Sequence, residues 1–188
     1  MITQNPLGEV RLSFVGSGVM AEAMLAGLLR KGLVAPEQIT GSHPREARRE
    51  ELREKYSIRT VESNREAASG GHIVILAVKP QRLGGVLHEL EGAFQPEQLV
   101  LSIVAGAKIE TIAGELKHPA IVRAMPNTPA QIGAGMIAWT ATAEVTEAQQ
   151  AQVRAMLAAL GREMYVEHER MIDMATALSA TGPTYIFM

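Results

Sequence analysis

The run Gly16-Ser17-Gly18-Val19-Met20-Ala21 places two glycines and a small residue in the spacing Gly-x-Gly-x-x-Ala. That spacing suits the wrapping of backbone around a phosphate. Gly16 lets the chain turn sharply off a preceding strand, and Gly18 lets backbone approach a pyrophosphate with no Cβ in the way. Ala21 keeps the following helix close to the sheet. Ser17, Val19 and Met20 fill the remaining positions, where the first-turn N–H groups have no intrahelical acceptor. Those groups and the helix dipole favour a bound anion. Glycine turns are common, so the motif takes its meaning from its flanks. An apolar run (Val10, Leu12, Phe14, Val15) precedes it and the helical pattern AEAMLAGLLRKG follows. Strand, glycine turn and helix in that order read as the phosphate-binding turn of a dinucleotide fold.

Three further stretches carry candidate chemistry. Gly41-Ser42-His43-Pro44-Arg45 stands at the end of the expected second strand and has no carboxylate until Glu46. A site for NAD places Asp or Glu there to grip the ribose 2′-hydroxyl. The hydroxyl of Ser42 and the guanidinium of Arg45 suit a 2′-phosphate instead, so NADP(H) is expected over NAD(H). The competing reading has Ser42 capping the next helix and Arg45 solvated. Ala77-Val78-Lys79-Pro80 ends a buried strand: Pro80 fixes the turn, and Val78 and Lys79 fall at the mouth of the cofactor cleft. Ala105 and Gly106 end the next strand with small residues that admit a nicotinamide ring; a plain turn is the alternative. Met125-Pro126-Asn127-Thr128-Pro129 is a stiffened loop in which Asn127 and Thr128 offer hydrogen bonds on the substrate side.

Other chemistries are absent from the pattern. The chain has no cysteine, which excludes disulfides, thiolate catalysis and cysteine-based metal sites. Its five histidines are far apart and none pairs at ligand spacing, so no metal is expected. No catalytic acid–base pair stands out.

These residues need a scaffold, and strand and helix alternate to supply one. Strands are expected at Gln38–Gly41, Ile58–Val61, His72–Val78, Leu99–Val104, Ala120–Ala124 and Glu163–Val166, with a β-prone stretch over Ile132–Thr140. Helices are expected over Pro44–Tyr56, from the capping box Ser63…Glu66, over Gln81–Glu91, and over Thr146–Leu160 with its own box Thr146…Gln149. Continuous apolar runs such as HIVILAV mark strands buried on both faces. The expected fold is α/β, a Rossmann-type doubly wound, mainly parallel sheet, with the loops after strands one, two, four and five carrying the site. From about Arg170 the pattern turns helical, breaks at Ala180–Gly182 and stops on apolar residues at Met188.

The 188 residues are 47% hydrophobic and 20% charged, ordinary values for a globular protein with a real core. A net charge of −2 with scattered signs gives no footprint for nucleic acid or an anionic membrane. No apolar run is long enough to span a bilayer, and the N-terminus lacks the blocks of a secretion signal. A cytoplasmic location is expected.

Gly16-Ser17-Gly18-Val19-Met20-Ala21, Leu76-Ala77-Val78-Lys79-Pro80, Ala105-Gly106 and Met125-Pro126-Asn127-Thr128-Pro129 occur in the order and spacing of pyrroline-5-carboxylate reductases, which the chain resembles over essentially its whole length. Asp173–Ser179 and Gly182–Tyr185 are similar to the segment opening that family's helical domain. The resemblance implies NADPH-dependent reduction of 1-pyrroline-5-carboxylate to proline, and a cofactor lined by Ser42, Asn64, Ala77–Pro80 and Ala105–Gly106. It also implies a substrate side that includes Ser179, Thr181, Gly182 and Pro183. Residues 1–167 are expected to form the NADP-binding domain and 168–188 to begin an all-helical domain that forms a homodimer or higher homo-oligomer. Two departures stand out: Ala180 replaces a glycine of the family pattern, and the rest of the helical domain does not follow Met188. NADPH binding with poor reduction by the 188 residues alone is therefore expected. The alternatives are a non-catalytic NADP(H)-binding relative and an NADP-dependent reductase of another imine or ketone.

Overall fold

The protein, described here as a computed structural model over residues 5–177, is built on one eight-stranded sheet. Its strands are β1 (Leu12–Val15), β2 (Ile39–Ser42), β3 (Arg59–Val61), β4 (Ile73–Leu76), β5 (Leu99–Ser102), β6 (Ile121–Met125), β7 (Gly135–Ala141) and β8 (Gly161–Tyr165). They lie side by side in the order β3-β2-β1-β4-β5-β6-β7-β8. The helices are α1 (Val19–Arg30), α2 (Glu46–Tyr56), α3 (Asn64–Gly70), α4 (Pro80–Leu90), α5 (Ile109–Leu116), α6 (Glu147–Ala158) and α7 (Arg170–Ala175).

Strand order follows from what each connection can do. Parallel neighbours need a crossover of a dozen or so residues, and a helix supplies it between most successive strands. The chain winds outward from β1 to β3, then returns across the sheet to place β4 on the other side of β1. The β6–β7 pairing is the one antiparallel step in the sheet; β8 is parallel to β7, so both run opposite to β1–β6. The link between β6 and β7, residues 126–134, holds just the 3-10 turn Thr128–Ile132, too little chain for a crossover.

Both faces of the central strands are buried, as the apolar runs require. Ile73 and Ile75 of β4 join the core under α1 and α6, while Val74 and Leu76 join the core under α4 and α5. Several boundaries differ from the sequence reading by one to three residues. Helix α5 was not anticipated, because its eight residues follow a glycine turn without a capping residue. Pro44 precedes α2 rather than standing in its first turn. Ser42 does not cap that helix, whose N-cap position is Arg45 with no side-chain bond. Thr146 and Gln149 form the full capping box of α6. Ser63 Oγ accepts the Glu66 N–H, but the Glu66 carboxylate binds Arg59 at 2.7 Å instead of closing the second half of the box.

Helix α7 is fastened by charge. Arg123 of β6, with 2% of its side chain exposed, donates to Glu169 Oε1 at 2.7 Å and to Asp173 Oδ1 at 2.6 Å. The same Glu169 oxygen accepts the Ile109 N–H at the start of α5, at 2.8 Å. One guanidinium thus joins the sheet, α5 and α7. Arg123→Met leaves these carboxylates without their cation and is expected to lower folding stability by about 2–3 kcal/mol, since both remain partly hydrated. Urea unfolding followed by the fluorescence of the single tryptophan, the fully buried Trp139, measures it.

Candidate functional site

A cleft of about 440 Å³ opens where β1 and β4 leave the sheet, the place at which the strand order reverses. Ligands of open α/β sheets bind at such a switch point, beyond the carboxyl ends of the strands. Its lining comes from four loops and the start of α4: Gly16, Ser17 and Gly18 after β1, His43 and Pro44 after β2, Glu62 and Asn64 after β3, and Ala77, Val78, Lys79, Arg82 and Val86 after β4.

The glycine turn is shaped by its neighbours. Gly16 has φ +86°, and a Cβ there would lie 2.7 Å from Val78 Cγ1 and 3.1 Å from Ala77 O. Its N–H donates to Ser42 Oγ at 3.1 Å; Ser42 donates in turn to Asn64 Oδ1 at 2.7 Å, and Asn64 Nδ2 donates to Glu89 at 2.8 Å. Ser42 is therefore a buried strut beneath the turn, tying β1 to β2 and α3. Gly18 differs from Gly16: its backbone is extended, and a Cβ on it would meet nothing within 4 Å.

The turn is also rich in unused hydrogen-bonding capacity. The N–H groups of Gly18, Val19, Met20 and Ala21 have no acceptor among the described residues, the first bond of α1 being Glu22 N–H to Gly18 O at 2.9 Å. Among the described residues, Ser17 Oγ is the one buried side-chain polar atom without a partner. The cations at the rim are equally free: Lys79 and Arg82 line the cleft, and Arg45 follows Pro44 in the β2–α2 loop. None of the three side chains has a hydrogen-bond or ion-pair partner among the described residues. The nearby carboxylates are engaged, Glu62 by Arg49 at 3.5 Å and Glu89 by Asn64. An unfilled row of N–H donors, an orphaned hydroxyl and free cations fit an elongated anion such as a dinucleotide pyrophosphate.

Behind the turn lies a cluster between α1 and α2. Glu22 receives hydrogen bonds from Arg48 at 2.5 Å and from Lys55 and Tyr56 at 2.8 Å each. Burial raises its carboxyl pKa, but those three donors outweigh burial and pull it from 4.5 to about 2. Burial lowers the pKa of His43 and the charges of Arg45, Arg48 and Arg49 lower it further, against the opposing effect of the Arg45 N–H that its Nδ1 accepts at 3.1 Å.

Of the residues singled out from the sequence, Gly16, Ser17, Gly18, Asn64, Ala77, Val78 and Lys79 line this cleft. Val19, Met20 and Ala21 form the first turn of α1 behind it, and Pro80 is the first residue of α4. Ala105 and Gly106 lie beyond β5, outside the lining, with Gly106 at φ +72°. The loop of Asn127 and Thr128 packs on α1, where Asn127 Oδ1 accepts the Met136 N–H at 3.0 Å. Ser179, Thr181, Gly182 and Pro183 lie outside the described residues. His43, Pro44, Glu62, Arg82 and Val86 complete the lining and were not singled out. No group of three or more potential metal ligands occurs among the described residues, and no described helix is long and apolar enough to cross a membrane.

Residues 11–106 match the family described as NADP oxidoreductase coenzyme F420-dependent, which places the chain in an oxidoreductase class. The pyrroline-5-carboxylate reductase of Synechocystis is 42% identical over 95% of this chain and 66% of its own. A solved pyrroline-5-carboxylate reductase from Coxiella burnetii superposes with TM-score 0.89 at 32% identity, covering 95% of this chain and 67% of that one. Plasmodium falciparum pyrroline carboxylate reductase, solved with NADP bound, superposes with TM-score 0.82 at 26% identity over 95% of this chain and 65% of that one. The chain belongs to the pyrroline-5-carboxylate reductase family, and it spans about two thirds of the length of the relatives it matches.

Two outcomes test the site's construction. Gly16→Val forces a side chain into Val78 at a positive φ and is expected to cost roughly 2–3 kcal/mol of stability, whereas Gly18→Val is expected to leave the unfolding midpoint unchanged. Urea titration of both variants separates them. For Glu22, the folded pKa lies below the unfolded one. Its contribution to stability is therefore complete above pH 4.5 and is lost as pH falls toward about 2. Glu22→Gln is expected to flatten that acid limb of the stability profile.

Proposed function

We propose that the protein to which this chain belongs is an NADPH-dependent pyrroline-5-carboxylate reductase, forming proline in a biosynthetic role. The observation that carries the reading is the set of unsatisfied N–H groups in the turn at the β1–β4 switch point, faced by free cations. Family membership supports the substrate. Residues 1–167 act as the cofactor domain, and 168–188 begin a helical domain that dimerises and completes the substrate pocket. The site of action is the cytoplasm.

The cofactor, when bound, supplies hydride. The chain's residues bind and orient it: the turn of Gly16–Ala21 takes the pyrophosphate, Ser42 and Asn64 set the ribose side, and Ala77–Pro80 with Ala105–Gly106 flank the reduced ring. Asn127, Thr128, Ser179, Thr181, Gly182 and Pro183 face the substrate. A cyclic imine is protonated in solution, so its carbon accepts hydride without a strong protein acid. The work of the site is then proximity and electrostatic placement. Selectivity for the 2′-phosphate rests on Arg45, which has no carboxylate partner, in a β2–α2 loop without Asp or Glu.

The reading is tested by mixing the full-length protein with NADPH and 1-pyrroline-5-carboxylate and following loss of NADPH absorbance together with proline formation. Turnover with another imine or ketone but none with this substrate would overturn it. Gly18→Val is expected to abolish NADPH binding in a fluorescence titration while the protein stays folded. Arg45→Glu is expected to weaken NADPH by about tenfold or more and NADH little, as loss of a charge-assisted phosphate contact requires. Equal weakening of both would place the 2′-phosphate elsewhere.

A further inference from the structure

Helix α2 carries an arginine whose contacts the cofactor reading leaves unexplained. The Arg48 side chain is 12% exposed and makes three contacts in three directions. Its Nε donates to the Ser17 carbonyl at 3.1 Å, one terminal nitrogen meets Glu22 at 2.5 Å, and the other meets Glu51 at 2.7 Å. Glu22 is itself fixed by Lys55 and Tyr56, so the guanidinium is locked rather than free to swing. The Ser17 carbonyl is the unusual partner. It precedes the N-cap Gly18 and stands outside the helix ladder, whose first bond is Glu22 N–H to Gly18 O, so the Arg48 guanidinium is what holds it.

A trans peptide points its C=O and the following N–H in opposite directions. Fixing the Ser17 carbonyl toward α2 therefore turns the Gly18 N–H away from α2, where no acceptor among the described residues meets it. We propose that Arg48, braced by Glu22, is a positioning residue for the glycine turn: it sets the Ser17–Gly18 peptide so that the turn's N–H groups converge on a pyrophosphate. The inference rests on the reading of this turn as a dinucleotide site. It assigns Arg48 no contact with the ligand, which separates it from Arg45 two positions beyond His43 in the same segment. Lysine cannot replace it fully, because a single ammonium cannot serve the Ser17 carbonyl and both carboxylates in one fixed fork.

The experiment measures calorimetric affinities of the full-length protein for NADPH, 2′-phospho-ADP-ribose and adenosine 2′-monophosphate, the last of which lacks the pyrophosphate. For Arg48→Met, NADPH and 2′-phospho-ADP-ribose are expected to weaken together by about tenfold, the scale of one hydrogen bond to a charged group, with adenosine 2′-monophosphate unchanged. Arg48→Lys, which retains the charge and the tie to Glu22, keeps the protein folded if Arg48→Met does not, and is expected to show a smaller loss in the same pattern. Unchanged affinity for all three would overturn the proposal. Equal weakening of all three would also overturn it, since that is the mark of a direct phosphate ligand or of general loosening. A wild-type protein that binds none of the three would overturn the dinucleotide reading and this inference with it.

Discussion

The close approach of Gly16 to the end of β4 is the constraint on which the site depends. Two neighbouring strands leave the sheet at the same edge, and their connections must part at once to open a cleft between them. At Gly16 the backbone turns with φ +86° so near Val78 and the Ala77 carbonyl that any side chain would separate the strands. Its N–H cannot join the sheet ladder beyond this point, and Ser42 from the adjacent strand accepts it. The strain of the turn and its hydrogen-bond compensation thus come from different parts of the chain. Free donors accumulate just downstream, at Gly18–Ala21, where none of the described residues offers an acceptor.

Helix α2 shows how much a charged segment can conceal. Its sequence, EARREELREKY, reads as a solvated face, yet Arg49 and Leu52 are buried and Arg48 nearly so. Arg49 takes the His43 and Pro44 carbonyls and pairs with Glu46, so it shapes the loop that ends at the cleft. Arg48 reaches the glycine turn, and Arg53 ties Glu46 to Thr60 of β3. Each long side chain satisfies backbone or strand groups that a short polar residue could not reach. Lys79 and Arg82, without a partner among the described residues, are left facing the cleft.

How much of this was legible in the sequence follows from the range of the interactions involved. The turn at Gly16–Ala21 and the buried runs of β4 and β5 could be read because their residue types answer local backbone conformation and burial on both faces. The capping box at Thr146 could be read for the same reason. Ser42 was ambiguous between cap and cofactor contact, since its real partners, Gly16 and Asn64, are separated from it by more than twenty residues. The lining residues His43, Glu62 and Arg82 carried no local signature and became visible only when four loops met. The antiparallel turn to β7 had a usable signal, the short proline-bearing link after β6, although the strand itself was read only as β-prone.

The pairing of β1 with β4 has a consequence for how the protein comes to exist. Leu12 sits opposite Ile73, about sixty residues away along the chain, so the central seam is a long-range contact. The loop-closure cost of such a contact is met only after the intervening helices and strands have condensed. On a ribosome the glycine turn would emerge early, yet it could not take its final shape until β4 and Val78 had followed it. The glycine turn and its cleft are therefore among the last features of the first half to mature. A nascent chain shorter than this seam would hold the motif in full and have no cleft to go with it.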